Sequence, residues 1–161
     1  MAGRRSAGLL LFRGGGDGGG GDDGVQVLLA HMGGPLWARR DVGAWSVPKG
    51  EYVPPEEPRA AARREFEEEL GLPPPDGPYV PLGDTRQSGG KVVTVWAVES
   101  DLDPERIVPG TFTMEWPKGS GEQRSFPEID RVAWFSPDRA RELMVAGQRV
   151  FLERLAAHLA G

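Results

Sequence analysis

Two short apolar runs, Ala7 to Phe12 and Val25 to Ala30, are rich in Leu and Val, and each predicts a strand. Between them lies RGGGDGGGGDDG, which predicts a flexible Gly-rich loop at 14–24. No Gly-Lys-Ser/Thr follows it and no helical pattern begins at its end, so a phosphate cradle is the weaker reading. Trp45 to Val47 predicts a short strand. Next, Ala62, Phe66 and Leu70 recur every four residues, the mark of a helix with one apolar face. Pro58 suits the first turn of that helix, and Gly71 followed by three prolines ends it. Tyr79 to Arg86 and Lys91 to Val98 predict a hairpin turning at Ser88-Gly89-Gly90, and Arg131 to Phe135 alternates as a further strand. Ser136 reads as an N-cap ahead of Pro137, opening a helix to about Met144. A last helix, Gln148 to Leu159, carries Phe151, Leu152, Leu155 and Leu159 on one stripe. Strands around one helix, then terminal helices, predict an α/β fold with a mixed central sheet between helical layers. No repeat or linker divides the chain, so a single domain over 1–161 is expected.

The chemistry concentrates on the first helix. Glu65, Glu68 and Glu69 stand at i, i+3 and i+4, so three carboxylates share one face beside the apolar one. Acidic runs are commonly just the solvated side of a helix. Here they belong to a longer spacing: Gly50, five residues, Glu56, seven residues, Arg64-Glu65, Phe66, one residue, Glu68-Glu69, one residue, Gly71-Leu72. Nine constrained positions would align by chance in such a chain with a probability on the order of 10⁻⁷. Crowded carboxylates repel one another unless a hard cation joins them, and all-oxygen ligands suit Mg²⁺ or Mn²⁺.

The stretch GEYVPPEEPRAAARREFEEELGL, Gly50 to Leu72, resembles the Nudix box at every defined position. The resemblance implies an α/β/α sandwich and an enzyme that hydrolyses a diphosphate linked to another group, often a nucleoside. By position it implies Glu65, Glu68 and Glu69 as metal ligands, the Gly50 carbonyl as a further one, and Arg64 as the residue that orients the carboxylates. Glu56 and Gly71 are then structural within the box. A diphosphate resists attack because its negative oxygens repel the nucleophile, so the reaction needs cations to mask that charge and a base to take a proton from water. Glu65 is the first choice as base, with catalysis also resting on Arg64 and Glu68. The family often adds a carboxylate outside the box, and Glu128 or Glu115 could serve.

Composition narrows the rest. Thirty-nine per cent of the 161 residues are hydrophobic and five are tryptophan, enough for a sizeable core. With no cysteine there is neither a disulfide-linked partner nor a thiolate zinc site. No apolar run approaches a membrane span, and the apolar stretch of MAGRRSAGLLLF is short for a signal peptide, so a cytoplasmic protein with no membrane partner is expected. A net charge of −5 weighs against nucleic acid as a partner. His31 and His158 lack partners at metal spacing. A homodimer is compatible with these features.

Substrate choice lies outside the box. The approach Trp45-Ser46-Val47-Pro48-Lys49-Gly50 is similar to that of Nudix enzymes that split dinucleoside polyphosphates, although Glu51 replaces their common His and Val53-Pro54-Pro55 their Glu-Pro-Gly. A small-molecule nucleotide is therefore the expected partner, its phosphates met by Lys49, Arg39 or Lys91, and less readily by Arg40 or Arg86. Trp116, Trp37 and Phe112 stand near predicted loops as surfaces for a base, whereas Trp45, Trp96, Trp134 and Phe135 read as core. The Pro- and Gly-rich segment 101–126 is expected to be a specificity loop. A non-catalytic nucleotide-sensing module and an RNA cap or RNA-end pyrophosphohydrolase are the alternatives.

Overall fold

The structure is a computed structural model that describes residues 4–14 and 24–161. Apart from its two ends, the expected Gly-rich loop at 14–24 lies outside the described residues. The two leading apolar runs form β1 (Arg5–Arg13) and β2 (Gln26–Met32), and the approach to the box supplies β3 (Trp45–Ser46) and β4 (Lys49–Tyr52). The box helix is α1 (Pro58–Leu70), followed by β5 (Val80–Arg86) and β6 (Val92–Glu99). β7 (Thr111–Glu115), β8 (Gln123–Pro127) and β9 (Ile129–Phe135) precede the terminal helices α2 (Pro137–Leu143) and α3 (Val150–Ala160).

The central sheet runs β3-β2-β1-β6-β5, with β4 added beside β1 and β9 beside β2. It is mixed because β1 and β6 pair in parallel along their length, Arg5 opposite Val92 through Phe12 opposite Glu99, while the other pairs are antiparallel. Alternation along β1 divides the core. Ala7, Leu9 and Leu11 face α1, where Ala62, Phe66 and Leu70 bury their stripe. Leu10 and Phe12 face the other layer, against Leu143, Phe151 and Leu155. The result is the α/β/α sandwich that the pattern predicted.

Local signals act as expected at most joints. Gly71 caps α1 in the left-handed region at φ 70° and its N–H donates to Glu67 O, a conformation that costs a β-carbon-bearing residue. Ser136 accepts from Arg139 N at the start of α2. Trp45 is buried, and Trp96, Trp134 and Phe135 pack partly buried against the two cores.

Two expectations need correction. Segment 101–126 is not simply a loop: Thr-Phe-Thr-Met-Glu and Gln-Arg-Ser-Phe-Pro pair as the β7–β8 hairpin, a separate two-stranded sheet. Leu159 does not share the burial of the α3 stripe; it is 42% exposed, because it stands on the last turn of α3 and lines an open surface cavity with Val25 and Ala156.

Phe66 is wholly buried between α1 and the sheet. Phe66→Ala should lower unfolding free energy by about 3–5 kcal/mol in urea titration. A loss below about 1 kcal/mol would mean that α1 is not anchored through this face.

Candidate active site

Gly50 sits in β4 opposite Ala7 of β1, and the end of the Glu65 side chain lies directly over it. A β-carbon at position 50 would overlap the Glu65 carboxylate, so glycine is required here for space. This contact brings the strand before the box against the acidic face of α1.

Arg64 organises that face. Its Nε and Nη2 donate to the two oxygens of Glu56, both at 2.8 Å, in a bidentate pair. Its Nη1 donates to Glu65 Oε1 at 2.8 Å and to Glu68 Oε2 at 3.0 Å. Hydrogen bonds from Arg64 hold the Glu56 carboxyl below the usual carboxylate range, and these partners raise the guanidinium's own pKa further. Glu69 turns the other way and accepts from the backbone N–H of Lys49 at 3.3 Å.

Glu128 joins from outside the helix. It precedes β9 at the base of the β7–β8 hairpin, where its N–H donates to Gly110 O and its O accepts from Gly33 N. A β-carbon on Gly110 would come within 2.9 Å of the Glu68 carbonyl oxygen and 3.9 Å of the Glu128 carboxylate. Four carboxyl groups therefore act on one another. Burial pushes Glu69 up to about 8, against the opposing pull of Lys49 and with help from Glu128 and Glu65. Burial also raises Glu65, where Arg64 opposes it and Glu68 and Glu128 add to it, and raises Glu128, where the Glu68 charge adds to it. Lys49 is lowered by burial and then by the neighbouring Lys91 ammonium.

Among the described residues, no three acidic or histidine side chains converge tightly enough to hold an ion as they stand. The cause is visible: Glu65 and Glu68 lean onto Arg64, and Glu69 onto the Lys49 backbone. The donor set nevertheless fits a hard divalent cation, since the oxygens are carboxylate and carbonyl, and burial, with neighbouring carboxylates adding to it, raises the pKa values of Glu65, Glu69 and Glu128.

The other expected positions divide. Lys49 lies beside the carboxylates, and Lys91 Nζ is 3.8 Å from Glu51 Oε2 on the same strand. Arg39 is exposed on the turn after Gly34, and Arg40 stacks over Trp37 at 5.5 Å. Arg86, exposed at the end of β5, is not brought into the acidic group. Trp116 lies at the hairpin tip, where its N–H bonds to Glu122 O, about 15 Å of strand away from the base that carries Glu128. Phe112 packs on Gly34 and near Phe126. Glu115 is spent on the hairpin turn, accepting from Gly119 N and Gly121 N, and does not reach the box. His31, read only as a non-ligand, is fully buried and bonded at both ring nitrogens. Its partners lie 9 and 99 residues away, so nothing local in the sequence signalled them.

The model of the NUDIX domain matches residues 3–155. The chain belongs to the Nudix family. As a Nudix domain it resembles an Ap4A hydrolase from C. elegans, solved as a binary complex, with TM-score 0.66 and 20% identity over 97% of this chain and 98% of that one. It also resembles the Nudix domain of Shewanella oneidensis NrtR, solved with ADP-ribose, with TM-score 0.60 and 15% identity over 99% of this chain and 90% of that one. At these identities the likeness concerns the fold. A curated relative, an RNA pyrophosphohydrolase of Coxiella burnetii, is 43% identical over 63 residues; the match takes in 38% of this Nudix chain and spans 27% of the relative's length.

A carboxyl whose pKa is raised on folding binds more protons in the folded than in the unfolded state. For Glu69 this makes the metal-free protein lose stability as pH climbs from about 4.5 towards about 8. Thermal unfolding in EDTA should show Tm falling across that window, and Glu69→Gln should flatten the fall. A Tm that rises equally in both proteins over the same range would contradict the crowding of charge at this site.

Proposed function

We propose that the chain is a divalent-metal-dependent pyrophosphohydrolase that cleaves a phosphoanhydride bond in a nucleoside polyphosphate, either a dinucleoside polyphosphate or a nucleoside triphosphate. The observation that carries this reading is that the charges of Glu65, Glu68, Glu69 and Glu128 act on one another, with Glu65 lying over Gly50 and Arg64 bridging Glu65 and Glu68. Glu65, Glu68, Glu69, Glu128 and the Gly50 carbonyl would hold Mg²⁺ or Mn²⁺. When bound, such ions offset the charge on the diphosphate oxygens and acidify water for in-line attack on phosphorus.

The chain's own groups supply the rest. Glu65, raised by burial, is suited to accept the proton of the attacking water, because a weak acid makes the stronger base. Arg64 keeps Glu65 and Glu68 from swinging into solvent while Glu56 fixes Arg64 in turn. Lys49 and Lys91, each depending on nearby carboxylates for balance, can meet the phosphate oxygens that enter beside the box. Arg39, Arg40 and Trp37 on the 34–43 turn would contact the rest of the nucleotide. The likeness in fold to an Ap4A hydrolase and the Lys49-Gly50 approach support a dinucleoside polyphosphate.

A second reading has its own observation: the stretch 43% identical to an RNA pyrophosphohydrolase supports a 5′-triphosphorylated RNA as substrate, against which stands the net charge of −5.

The test is phosphate release from nucleoside triphosphates, dinucleoside polyphosphates, nucleotide sugars and 5′-triphosphorylated or capped RNA, with Mg²⁺ or Mn²⁺. Glu68→Gln should lower kcat roughly 100-fold with the fold intact. Full activity in that variant removes the site assignment. Nucleotide binding without turnover of any substrate would favour the sensing module instead.

A further inference from the structure

His31 has no part in the chemistry above, yet both of its ring nitrogens are engaged. It is wholly buried on β2, with its ring edge-on to Trp45 at 5.1 Å. Nδ1 lies 3.0 Å from both carboxylate oxygens of Asp130, and Nε2 lies 2.6 Å from the Arg40 carbonyl oxygen. A carboxylate and a carbonyl only accept, so a ring nitrogen binds its partner here through the proton it carries. One ring thus ties two segments that are far apart in the chain.

One segment carries Glu128, and the other follows Gly33, whose N–H donates to Glu128 O. Along β2 and β9, His31 pairs with Arg131 but Met32 pairs with Ile129, so Asp130 is an extra residue, a β-bulge. Bulges bend a strand and re-aim the side chains beside them. Two residues before Asp130 stands Glu128, whose backbone bridges Gly110 and Gly33 and whose carboxyl faces the box helix. On its other side His31 holds the carbonyl of Arg40, in the turn that also carries Trp37 and Arg39. Asp41 of that turn accepts from Trp45 Nε1 at 2.8 Å, so the ring that meets His31 edge-on grips the same turn a second time.

We propose that His31 is a positioning residue that sets Glu128 through the Asp130 bulge and sets the 34–43 turn through the Arg40 carbonyl. The two nitrogens have separable tasks: Nδ1 serves turnover by fixing the carboxylate arm, and Nε2 serves substrate affinity by fixing the turn. The kinetic part of this inference rests on the pyrophosphohydrolase reading, while the structural coupling does not.

Amide side chains separate the two tasks, since asparagine places a donor near Nδ1 and glutamine places one near Nε2. His31→Asn keeps the Asp130 bond and releases Arg40: KM should rise severalfold while kcat stays within about twofold of the parent. His31→Gln keeps Arg40 and releases Asp130: kcat should fall about tenfold with KM little changed. Asp130 is at the surface, so Asp130→Ala tests the same arm without disturbing the core; it should reproduce the kcat loss, and Asp130→Asn, which keeps an acceptor, should restore most of it. Hydrogen exchange by mass spectrometry supplies the readout that needs no turnover. Exchange should quicken over 34–43 in His31→Asn, and over 127–131 in His31→Gln and Asp130→Ala. If the parent cleaves no substrate but these exchange patterns separate, the proposed activity falls and the coupling stands. Equal effects of His31→Asn and His31→Gln, or unchanged exchange over 127–131 in Asp130→Ala, overturn the proposal.

Discussion

Crowded negative charge at one corner of the sheet is the constraint on which the site depends. Four carboxyl groups, from Glu65, Glu68, Glu69 and Glu128, share a volume that only one cationic side chain, Arg64, enters by direct hydrogen bond among the described residues. Alone, that arrangement opposes folding, because burying like charges raises their pKa values instead of stabilising the protein. The fold tolerates it by surrounding it with firm structure: an apolar stripe of α1 packed on β1, a glycine that lets Glu65 reach the β4 backbone, and a bidentate Arg64–Glu56 pair that anchors the guanidinium. Positive charge from ions is the natural complement, and a polyphosphate then becomes the natural ligand for the ions.

The same constraint explains how the two lysines sit. Lys49 lies within reach of Glu69, Glu51 and Glu65, yet its ammonium is lowered by burial and by Lys91, so the carboxylates do not fully compensate for its loss of water. A phosphate arriving between Lys49 and Lys91 would relieve both. The corner thus holds excess negative charge next to imperfectly balanced positive charge, an arrangement matched to metal ions on one side and phosphate oxygens on the other.

Much of this was legible in the sequence because it is local. The spacing from Gly50 to Leu72 places Glu65, Glu68 and Glu69 on one helical face, and the four-residue recurrence of Ala62, Phe66 and Leu70 gives the packing direction. The hairpin at 111–127 was hidden because proline and glycine on both sides read as loop, and its alternation is short and half exposed. Trp116 looked close to the site only in chain position; pairing of Thr111 with Pro127 sends it to the far end. Glu128 and Glu115 could not be told apart until the hairpin put one at its base and used the other to brace its turn. His31 was opaque for a different reason: its meaning lies in a bulge and in partners on other elements, which no periodicity encodes.

The central claim is that these carboxylates form a metal site as built by the box. Its most direct measurement is anomalous scattering at the manganese edge from crystals of the protein soaked in Mn²⁺. The account predicts a peak bounded by Glu65, Glu68, Glu69 and the Gly50 carbonyl, with those side chains turned towards it. A crystal with no peak there, or with manganese only elsewhere on the surface, would contradict it.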